Sequence, residues 1–411
     1  MPSFGRNYVS LMKNRPLVLV SWAQLIRIFG RSQTWIFLPV YLFNYRGVQY
    51  DVIGLLFTLT ALFSIPVSVY GGNLCDKLGR RKVALMTMPF GILIFFMVFL
   101  SAYLNLPTII FFIALISSEP LFSIQWIVDN AIITDSVSEV QRTDAFSITR
   151  IAGNLGFSIG PAVGGFLSDF SLSYVFLSTL LMSFVELVIY VMITETNKNM
   201  VKERSSIAFP RSDKKFLAIA LLMASIWFVA GQWGTTLTLF WTSFDRIPNV
   251  TIGILYSLNG LFVVLLQLPT NRMMINIPDH VRMFIGGMIY AVSFFALSLF
   301  SGFAFLVVDV FFLTLGENTI SPVTSSVVSK IAPDDRRGQY FGAFYLVSGF
   351  VTPMAPLMGT SLMQYFSYSP IIFWGIIAAI GTTISFFMLL IGGRIISQRT
   401  SSPGGVQILD K

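Results

Sequence analysis

The sequence predicts an all-α integral membrane protein in which twelve transmembrane helices form two pseudo-symmetric halves of six. Its 411 residues are 55% hydrophobic and only 11% charged, whereas a soluble domain is about 25% charged. The apolar residues fall into twelve long runs, and parts of the first half recur in the second. These observations exclude a soluble enzyme, a disordered chain and a nucleic-acid-binding module as first interpretations.

The apolar runs have the length of membrane-spanning helices, which need roughly 20 apolar residues each. Several are longer, as expected of tilted helices. A transmembrane β-barrel would instead show alternating segments of about ten residues. The predicted spans are 16–43, 51–71, 83–104, 106–134, 143–168, 172–194, 215–242, 249–270, 283–301, 303–330, 338–366 and 370–393.

Lysine and arginine residues predict the orientation, because loops on the cytoplasmic side are enriched in them. With the N-terminus inside, 22 of these residues fall in inside segments, and only Arg46 and Arg246 fall outside. We therefore predict a multi-pass protein of the cell membrane with both termini in the cytoplasm. The net charge of +8 then reflects topology, and no nucleic-acid partner is expected.

A polar, basic connection from Thr194 to Lys215 divides the chain. It predicts an N-terminal six-helix bundle over residues 1–194 and a cytoplasmic central loop over 195–215. The remaining residues, 216–411, are predicted to form a C-terminal six-helix bundle with a short cytoplasmic tail.

The two halves carry related sequences. GLLFTLTALF at 54–63 and GILYSLNGLF at 253–262 agree at five of ten positions, and Arg142 recurs as Arg337 after 195 residues. Parallel repeats of this length are typical of transporters, which bind substrate between their halves near the bilayer midplane.

The loop after the second span, GGNLCDKLGRRK at 71–82, has glycine, acidic and basic residues at fixed spacings. Gly79 permits a tight turn, and the basic residues after it can pair with Asp135 or Glu139 near the end of span 4. This loop resembles the signature loop of the major facilitator superfamily, and the resemblance extends over essentially the whole chain. It implies the major facilitator fold and a conformational latch that stabilises one of two alternating states. The latch residues are Gly72, Asp76, Gly79, Arg80, Arg81 and Asp135.

Small residues recur on one face of span 5, in the stretch NLGFSIGPAVGGFL. Gly156, Gly160 and Gly164 are four residues apart, a spacing that lets helix backbones approach closely, and Pro161 can kink the helix. We predict a helix-packing motif. The stretch also resembles the GP-x-x-GG motif of superfamily antiporters, and residues 316–344 resemble the region of spans 10 and 11 in drug-efflux members.

Four ionisable residues lie far from any loop, where a charge usually marks a cavity, an ion pair or a proton path. Arg27 and Arg31 share one face of span 1, while Glu119 and Glu317 lie near the middle of spans 4 and 10. Because those spans line the central cavity of the family that the chain resembles, we predict that the four groups bind substrate and couple protons. The alternative is a static salt bridge such as Arg31 with Glu119. Further candidates for substrate binding are Gln232 and Trp233 in span 7.

Four more ionisable residues lie within the predicted spans. Asp129 in span 4 and Arg150 in span 5 are predicted to form a structural ion pair. Glu186 in span 6 and Asp309 in span 10 have no evident partner in the sequence, and each can be either cavity-lining or peripheral.

The sequence indicates a secondary transporter that works by alternating access, not an enzyme. It has no GxxxxGK[ST] phosphate-binding loop, and the single cysteine, Cys75, and single histidine, His280, exclude Cys-based and multi-histidine metal sites. No cofactor is expected. By resemblance, the leading hypothesis is a monomeric multidrug antiporter whose partners are protons, an amphipathic drug-like substrate and the lipid bilayer.

Two alternatives stay open. Proton-coupled uptake of a polar or anionic solute, such as an organic acid or a sugar, would use Arg27 and Arg31 to bind the solute. A membrane receptor of the same fold that no longer transports is the alternative from another class. Paired cavity cations favour anion uptake, whereas paired carboxylates favour export of cationic or neutral compounds.

Overall fold

A computed structural model describes residues 11–196, 210–333 and 336–400, and these residues form helices and no strands. The predicted all-α fold class is therefore confirmed. Most of the predicted central loop (197–209) and the two chain ends (1–10 and 401–411) lie outside the described residues.

Six long helices correspond to the first six predicted spans. Several extend past the predicted ends, because the apolar runs mark only the part of each helix that lies in hydrocarbon. They are α1 (Arg15–Arg46), α2 (Tyr50–Leu78), α3 (Arg80–Tyr103), α4 (Thr108–Ser136), α5 (Arg142–Phe170) and α6 (Leu172–Met192).

The other six predicted spans contain nine helices, since three spans are broken. A 3₁₀ turn at Gly231–Trp233 divides span 7, a break before Met354 divides span 11, and a π-helical turn at Met388–Gly392 divides span 12. The helices are α7 (Lys214–Ala230), α8 (Thr235–Ser243), α9 (Asn249–Met273), α10 (Asp279–Ala296), α11 (Phe303–Ile331), α12 (Arg337–Val351), α13 (Met354–Phe366), α14 (Pro370–Phe387) and α15 (Gly393–Thr400).

Nine helical stretches in the described part of the chain are long and apolar enough to cross a membrane, as expected of a multi-pass membrane protein. Three helices that match predicted spans are not among these nine stretches, namely α1, α5 and α10. Helix α1 carries two arginines near its middle, and α5 carries the run of small residues.

Local signals explain where α1 and α7 begin and where α1 ends. The side chain of Asn14 accepts a hydrogen bond from the backbone N–H of Leu17 at 3.2 Å, and Asp213 accepts one from Phe216 at 3.0 Å. Each satisfies an N–H that the first helical turn leaves without a partner. Gly47 ends α1 in the left-handed conformation (φ 63°), which glycine adopts without strain.

The sequence repeat matches the helix boundaries. Segments 54–63 and 253–262 each start four residues after the first residue of a helix, α2 and α9 respectively. Likewise, Arg142 is the first residue of α5 and Arg337 the first of α12. The related stretches thus occupy equivalent positions in equivalent helices.

The chain divides into two compact units. The first contains Met1–Glu203 together with Thr238–Val264, and the second contains Arg204–Leu237 together with Leu265–Lys411. Part of α9 belongs to the first unit, where the backbone N–H of Ala162 in α5 donates to the hydroxyl of Ser257 at 2.9 Å. The boundaries predicted for the two bundles stay a prediction.

Candidate functional site

An arginine near the middle of α1 binds two carboxylates inside the first unit. Arg27 Nη1 donates to Glu186 Oε1 of α6 at 2.9 Å, and Arg27 Nη2 donates to Asp129 of α4. The hydroxyl of Tyr190, one turn after Glu186, donates to the same Asp129 carboxylate. All four side chains are buried, so charges from three helices compensate one another away from water.

A second arginine, one turn further along α1, pairs with a different carboxylate. Arg31 forms an ion pair with Glu119 of α4, and these side chains are 18% and 20% exposed. The guanidinium carbon of Arg31 also lies 3.8 Å from the centre of the Phe122 ring, which makes a cation–π contact. The salt bridge considered as the alternative for Arg31 and Glu119 is therefore present.

The charges of these five residues do not sum to zero. The set is called here the charge cluster and consists of Arg27, Arg31, Glu119, Asp129 and Glu186. Among the described residues that form the ion pairs, the three carboxylates of Glu119, Asp129 and Glu186 share the two guanidinium groups of Arg27 and Arg31. With every group ionised, one negative charge is in excess within membrane-spanning helices, where an uncompensated charge is unfavourable. The charge cluster can therefore take up one proton or one other cation.

A cleft of about 60 Å³ borders the charge cluster inside the first unit. Helices α1, α3, α4 and α6 supply its wall, which combines apolar side chains with a few polar ones, as small-molecule sites commonly do. In the described part of the chain, no group of three or more His, Cys, Asp or Glu side chains is placed to hold a metal ion. Besides members of the charge cluster, the wall includes Thr87, Gly91, Ser118, Gln125, Met182 and Ser183.

The predicted ion pair between Asp129 and Arg150 is wrong. Asp129 is 1% exposed and bonds to Arg27 and Tyr190, whereas Arg150 is exposed on α5. Glu186, for which the sequence left two positions open, binds Arg27 and lines the cleft. Sequence spacing alone does not show this pairing, because it depends on α1 packing against α6.

Two acidic residues of the second unit lie eight positions apart on α11. Glu317 is half-buried, and a Cβ added at the adjacent Gly316 would lie 3.2 Å from the Tyr290 ring of α10. Asp309 is 3% exposed, and its carboxylate bonds to Ser293 of α10. The convergence of Glu317 with the arginines of α1 on one cavity stays a prediction.

The predicted substrate residues of span 7 lie in the 3₁₀ turn between α7 and α8. Gln232 is fully buried; its Nε2 donates to the carbonyl of Ala355 at 3.0 Å, and its Oε1 accepts from Thr236 at 2.8 Å. Both ends of the amide are thus used for packing within the second unit. Trp233, in the same turn, is half-buried.

Acidic side chains hold the start of α3. Arg80 Nε donates to Asp135 Oδ2 at 3.0 Å, and Arg80 Nη1 lies 3.2 Å from Asp76 Oδ1. Glu195, just beyond α6, accepts hydrogen bonds from the backbone N–H groups of Arg80 and Arg81 at 3.0 and 3.1 Å. Sequence reasoning missed Glu195, which lies at the start of the polar connection. The latch role of this loop stays a prediction.

The glycines of the loop differ in what surrounds them. Gly79 has φ +93°, and a Cβ there would lie 2.5 Å from the carboxylate of Glu195, so this position requires glycine. At Gly72, an added Cβ would meet no described atom outside its own stretch of helix within 4 Å.

The glycine face of α5 lies against α1. A Cβ at Gly156 would lie 2.5 Å from the carbonyl oxygen of Leu25, and one at Gly160 would lie 2.5 Å from that of Phe29. Gly164 continues the same face further along α5, and Pro161 lies inside the helix. Larger residues at Gly156 and Gly160 would force the two backbones apart.

Comparison with known proteins gives matches over most of the chain. A family model described as Major Facilitator Superfamily matches residues 20–274 and 216–404. The chain is 26% identical to the uncharacterized MFS-type transporter YttB of Bacillus subtilis (strain 168), a match that covers 86% of this chain and 89% of the relative.

Two more distant relatives have named activities. The chain is 24% identical to a Na(+), Li(+), K(+)/H(+) antiporter of Planococcus maritimus, with 80% of this chain and 86% of the relative covered. It is 23% identical to the quinolone resistance protein NorA of Staphylococcus aureus (strain MRSA252), with 81% and 86% covered. The crystal structure of a POT family transporter in complex with 5-aminolevulinic acid has a similar fold, with a TM-score of 0.77, 15% identity and coverage of 93% and 96%.

Proposed function

Since the chain belongs to the Major Facilitator Superfamily and is a membrane transporter, not an enzyme, we propose that it exports amphipathic small molecules in exchange for protons. In this proposal, one half of the chain rocks against the other half and exposes the substrate alternately to each side of the membrane. The proton gradient supplies the driving force.

The excess carboxylate of the charge cluster carries this proposal. Asp129 receives hydrogen bonds from both Arg27 and Tyr190, whereas Glu186 receives one from Arg27. Of the two carboxylates bound to Arg27, Glu186 is therefore the one that releases this partner more easily, and we assign the proton to it. A protonated Glu186 leaves the charge cluster neutral, and its deprotonation makes room for a positively charged substrate.

One relative supports exchange against protons, and a second supports export of drug-like compounds. The Planococcus protein is named as an antiporter for monovalent cations and protons, and NorA is named for quinolone resistance. The alternative of anion uptake needs arginines that are free to bind a solute, but Arg27 and Arg31 are both engaged by carboxylates. Export of a cationic or neutral compound thus has the stronger physical argument.

The positive charges of the loops support a further part of the proposal. With 22 Lys and Arg residues on one side and 2 on the other, we place both termini in the cytoplasm of a cell-membrane protein. We further propose that the protein acts as a monomer. Protease access to tags at the two ends, in intact and in opened cells, tests the orientation.

Proton exchange can be measured with purified protein in liposomes that contain a pH-sensitive dye. We expect an amphipathic cation, but not an organic anion, to drive proton movement. Glu186→Gln should abolish this movement, because the variant charge cluster is balanced without a proton. Glu119→Gln and Glu317→Gln test the two carboxylates predicted from the sequence.

The control is Asp169→Asn, which changes an exposed carboxylate at the end of α5. It should behave as the wild type. Unchanged coupling in all three glutamate variants, or proton movement driven by the anion alone, would contradict the proposal.

A further inference from the structure

The hydroxyl groups that line the cleft of the first unit have already used their protons. Ser118 Oγ donates to the carbonyl of Leu115 at 2.8 Å, and Ser183 Oγ donates to that of Thr179 at 3.0 Å. A hydroxyl oxygen that donates its one proton keeps two lone pairs. Toward the cleft, both serines can therefore act only as hydrogen-bond acceptors.

The amide of Gln125 likewise has an unused hydrogen-bond acceptor. Its Nε2 donates to Thr87 Oγ1 at 2.9 Å. Its Oε1 is buried and has no hydrogen-bond partner among the described residues. Gln125 as a whole is only 7% exposed. A buried acceptor without a partner is unfavourable, and a donor from a bound molecule would satisfy it.

The charged residues of the wall favour a cation. The guanidinium groups of Arg27 and Arg31 are donors, but each is already bound to a carboxylate. Glu186 uses Oε1 for Arg27, which leaves Oε2 as a further acceptor. The charge cluster as a whole carries one negative charge in excess, so a positive ligand is attracted and an anion is repelled.

The rest of the wall is apolar and adaptable. Met88 and Met182 face the cleft together with Phe95 and Leu121. Methionine side chains adjust to ligands of different shape. The wall can therefore accept the hydrophobic part of an amphipathic molecule.

We infer that this cleft, which lies inside the first unit, is a binding site for an amphipathic amine. The ammonium group would donate to Glu186, Gln125 and the serine hydroxyls, while the apolar part contacts the methionines and Phe95. This inference rests on the proposed export function and names its substrate class. It also separates two kinds of cation, because a quaternary ammonium has the charge but no N–H to donate.

Binding is measured by isothermal titration calorimetry with the full chain in lipid nanodiscs, and empty nanodiscs serve to subtract partitioning. Four probes share one ring system: 1-naphthylmethylamine, its N,N,N-trimethyl derivative, 1-naphthylmethanol and 1-naphthylacetate. We expect the primary amine to bind at least about tenfold more tightly than the other three, since charge-assisted hydrogen bonds are lost in each.

Two variants locate the site. A Cβ at Gly91 would meet no described atom outside its own stretch of helix within 4 Å, so Gly91→Leu adds volume to the cleft wall and should weaken amine binding at least about tenfold. The double variant Ser118→Ala with Ser183→Ala removes two acceptors and should weaken it by a smaller factor. Gly342→Leu, in the second unit and equally free of neighbours within 4 Å, is the matched control and should bind as the wild type does.

The inference is overturned if the trimethyl derivative or the carboxylate binds as tightly as the amine. It is also overturned if Gly91→Leu binds the amine normally, or if the wild type binds no probe beyond the empty nanodiscs. Selective binding without proton movement in liposomes would support the site and reject the proposed exchange. Proton movement that is driven by the amine and is unaffected by Gly91→Leu would support the proposed exchange and reject the site.

Discussion

The guanidinium group of Arg27 forms an ion pair with the carboxylate of Asp129, 102 positions further along the chain, and these side chains are only 7% and 1% exposed. A buried ion pair can often be replaced by apolar residues of similar volume without loss of stability. Stability alone therefore does not account for the charges that α1 and α4 carry here. Because Arg27 lines the cleft, we propose that this ion pair has a role in function.

Replacement of Arg27 alone should destabilise the protein strongly. Arg27→Met leaves Asp129 and Glu186 buried without their cation, which costs about 3–5 kcal/mol. The triple variant that adds Asp129→Leu and Glu186→Met should recover most of this loss but should not move protons. Thermal unfolding in detergent and the liposome assay measure the two effects.

The control for this series is Arg394→Met, because Arg394 is exposed on α15 and its removal should change stability by no more than about 0.5 kcal/mol. A triple variant that moves protons as the wild type does would show that the charge cluster is only structural.

Removal of the carboxylate of Glu195 should weaken the start of α3. Glu195→Ala takes away the acceptor that caps Arg80 and Arg81, and loss of a helix cap typically costs about 1 kcal/mol.

If the loop is a latch, Glu195→Ala should also reduce transport, and Asp76→Asn should reduce transport while expression stays intact. Glu139→Ala is the control, since its side chain is 86% exposed and lies 3.7 Å from Arg142. Full transport by both latch variants would contradict the latch.

The contact between α5 and α1 should not tolerate a large residue. At Gly160, an added Cβ would lie 2.5 Å from the carbonyl oxygen of Phe29, so Gly160→Leu should lower the yield of folded protein severely. Gly342→Leu adds the same side chain where no described atom lies within 4 Å, and its yield should be normal. Size-exclusion chromatography of both variants makes the comparison, and equal yields would show that the glycine face is not needed for packing.

The sequence predicted the spans well, because long apolar runs joined by basic loops are compatible with few structures besides a bundle of membrane-spanning helices. It also offered two hypotheses for Arg31 and Glu119, a substrate site or a salt bridge, since both residues lie in the middle of their spans. The structure contains the salt bridge. It could not predict the partner of Asp129. That choice depends on how α1 and α4 are rotated about their axes and on how α6 packs against them, and neither is visible in a single sequence.

Two further residues show the same limit. Glu195 directly follows predicted span 6, in a segment that has the composition of an ordinary loop. Its bonds to the start of α3 therefore could not be predicted from the sequence. Gln232 lies in the middle of a span, where a polar residue suggests a binding site. Its bonds to Ala355 and Thr236 show that the break between α7 and α8 needs a polar side chain for its own packing.

The loop between α8 and α9 should make stability depend on pH. Asp245 is half-buried there, and burial raises the pKa of its carboxyl group to about 6, above the value of about 3.9 in an unfolded chain. The folded protein then holds this proton more tightly, so Asp245 stabilises it below about pH 4 and this contribution is lost as the pH rises through about 6. Asp245→Asn should therefore raise the unfolding temperature above pH 6 and flatten its change between pH 4 and 6. Asp169→Asn, at an exposed position, should leave the profile unchanged, and a parallel wild-type and Asp245→Asn profile from pH 4 to 8 would show that Asp245 does not titrate in this range.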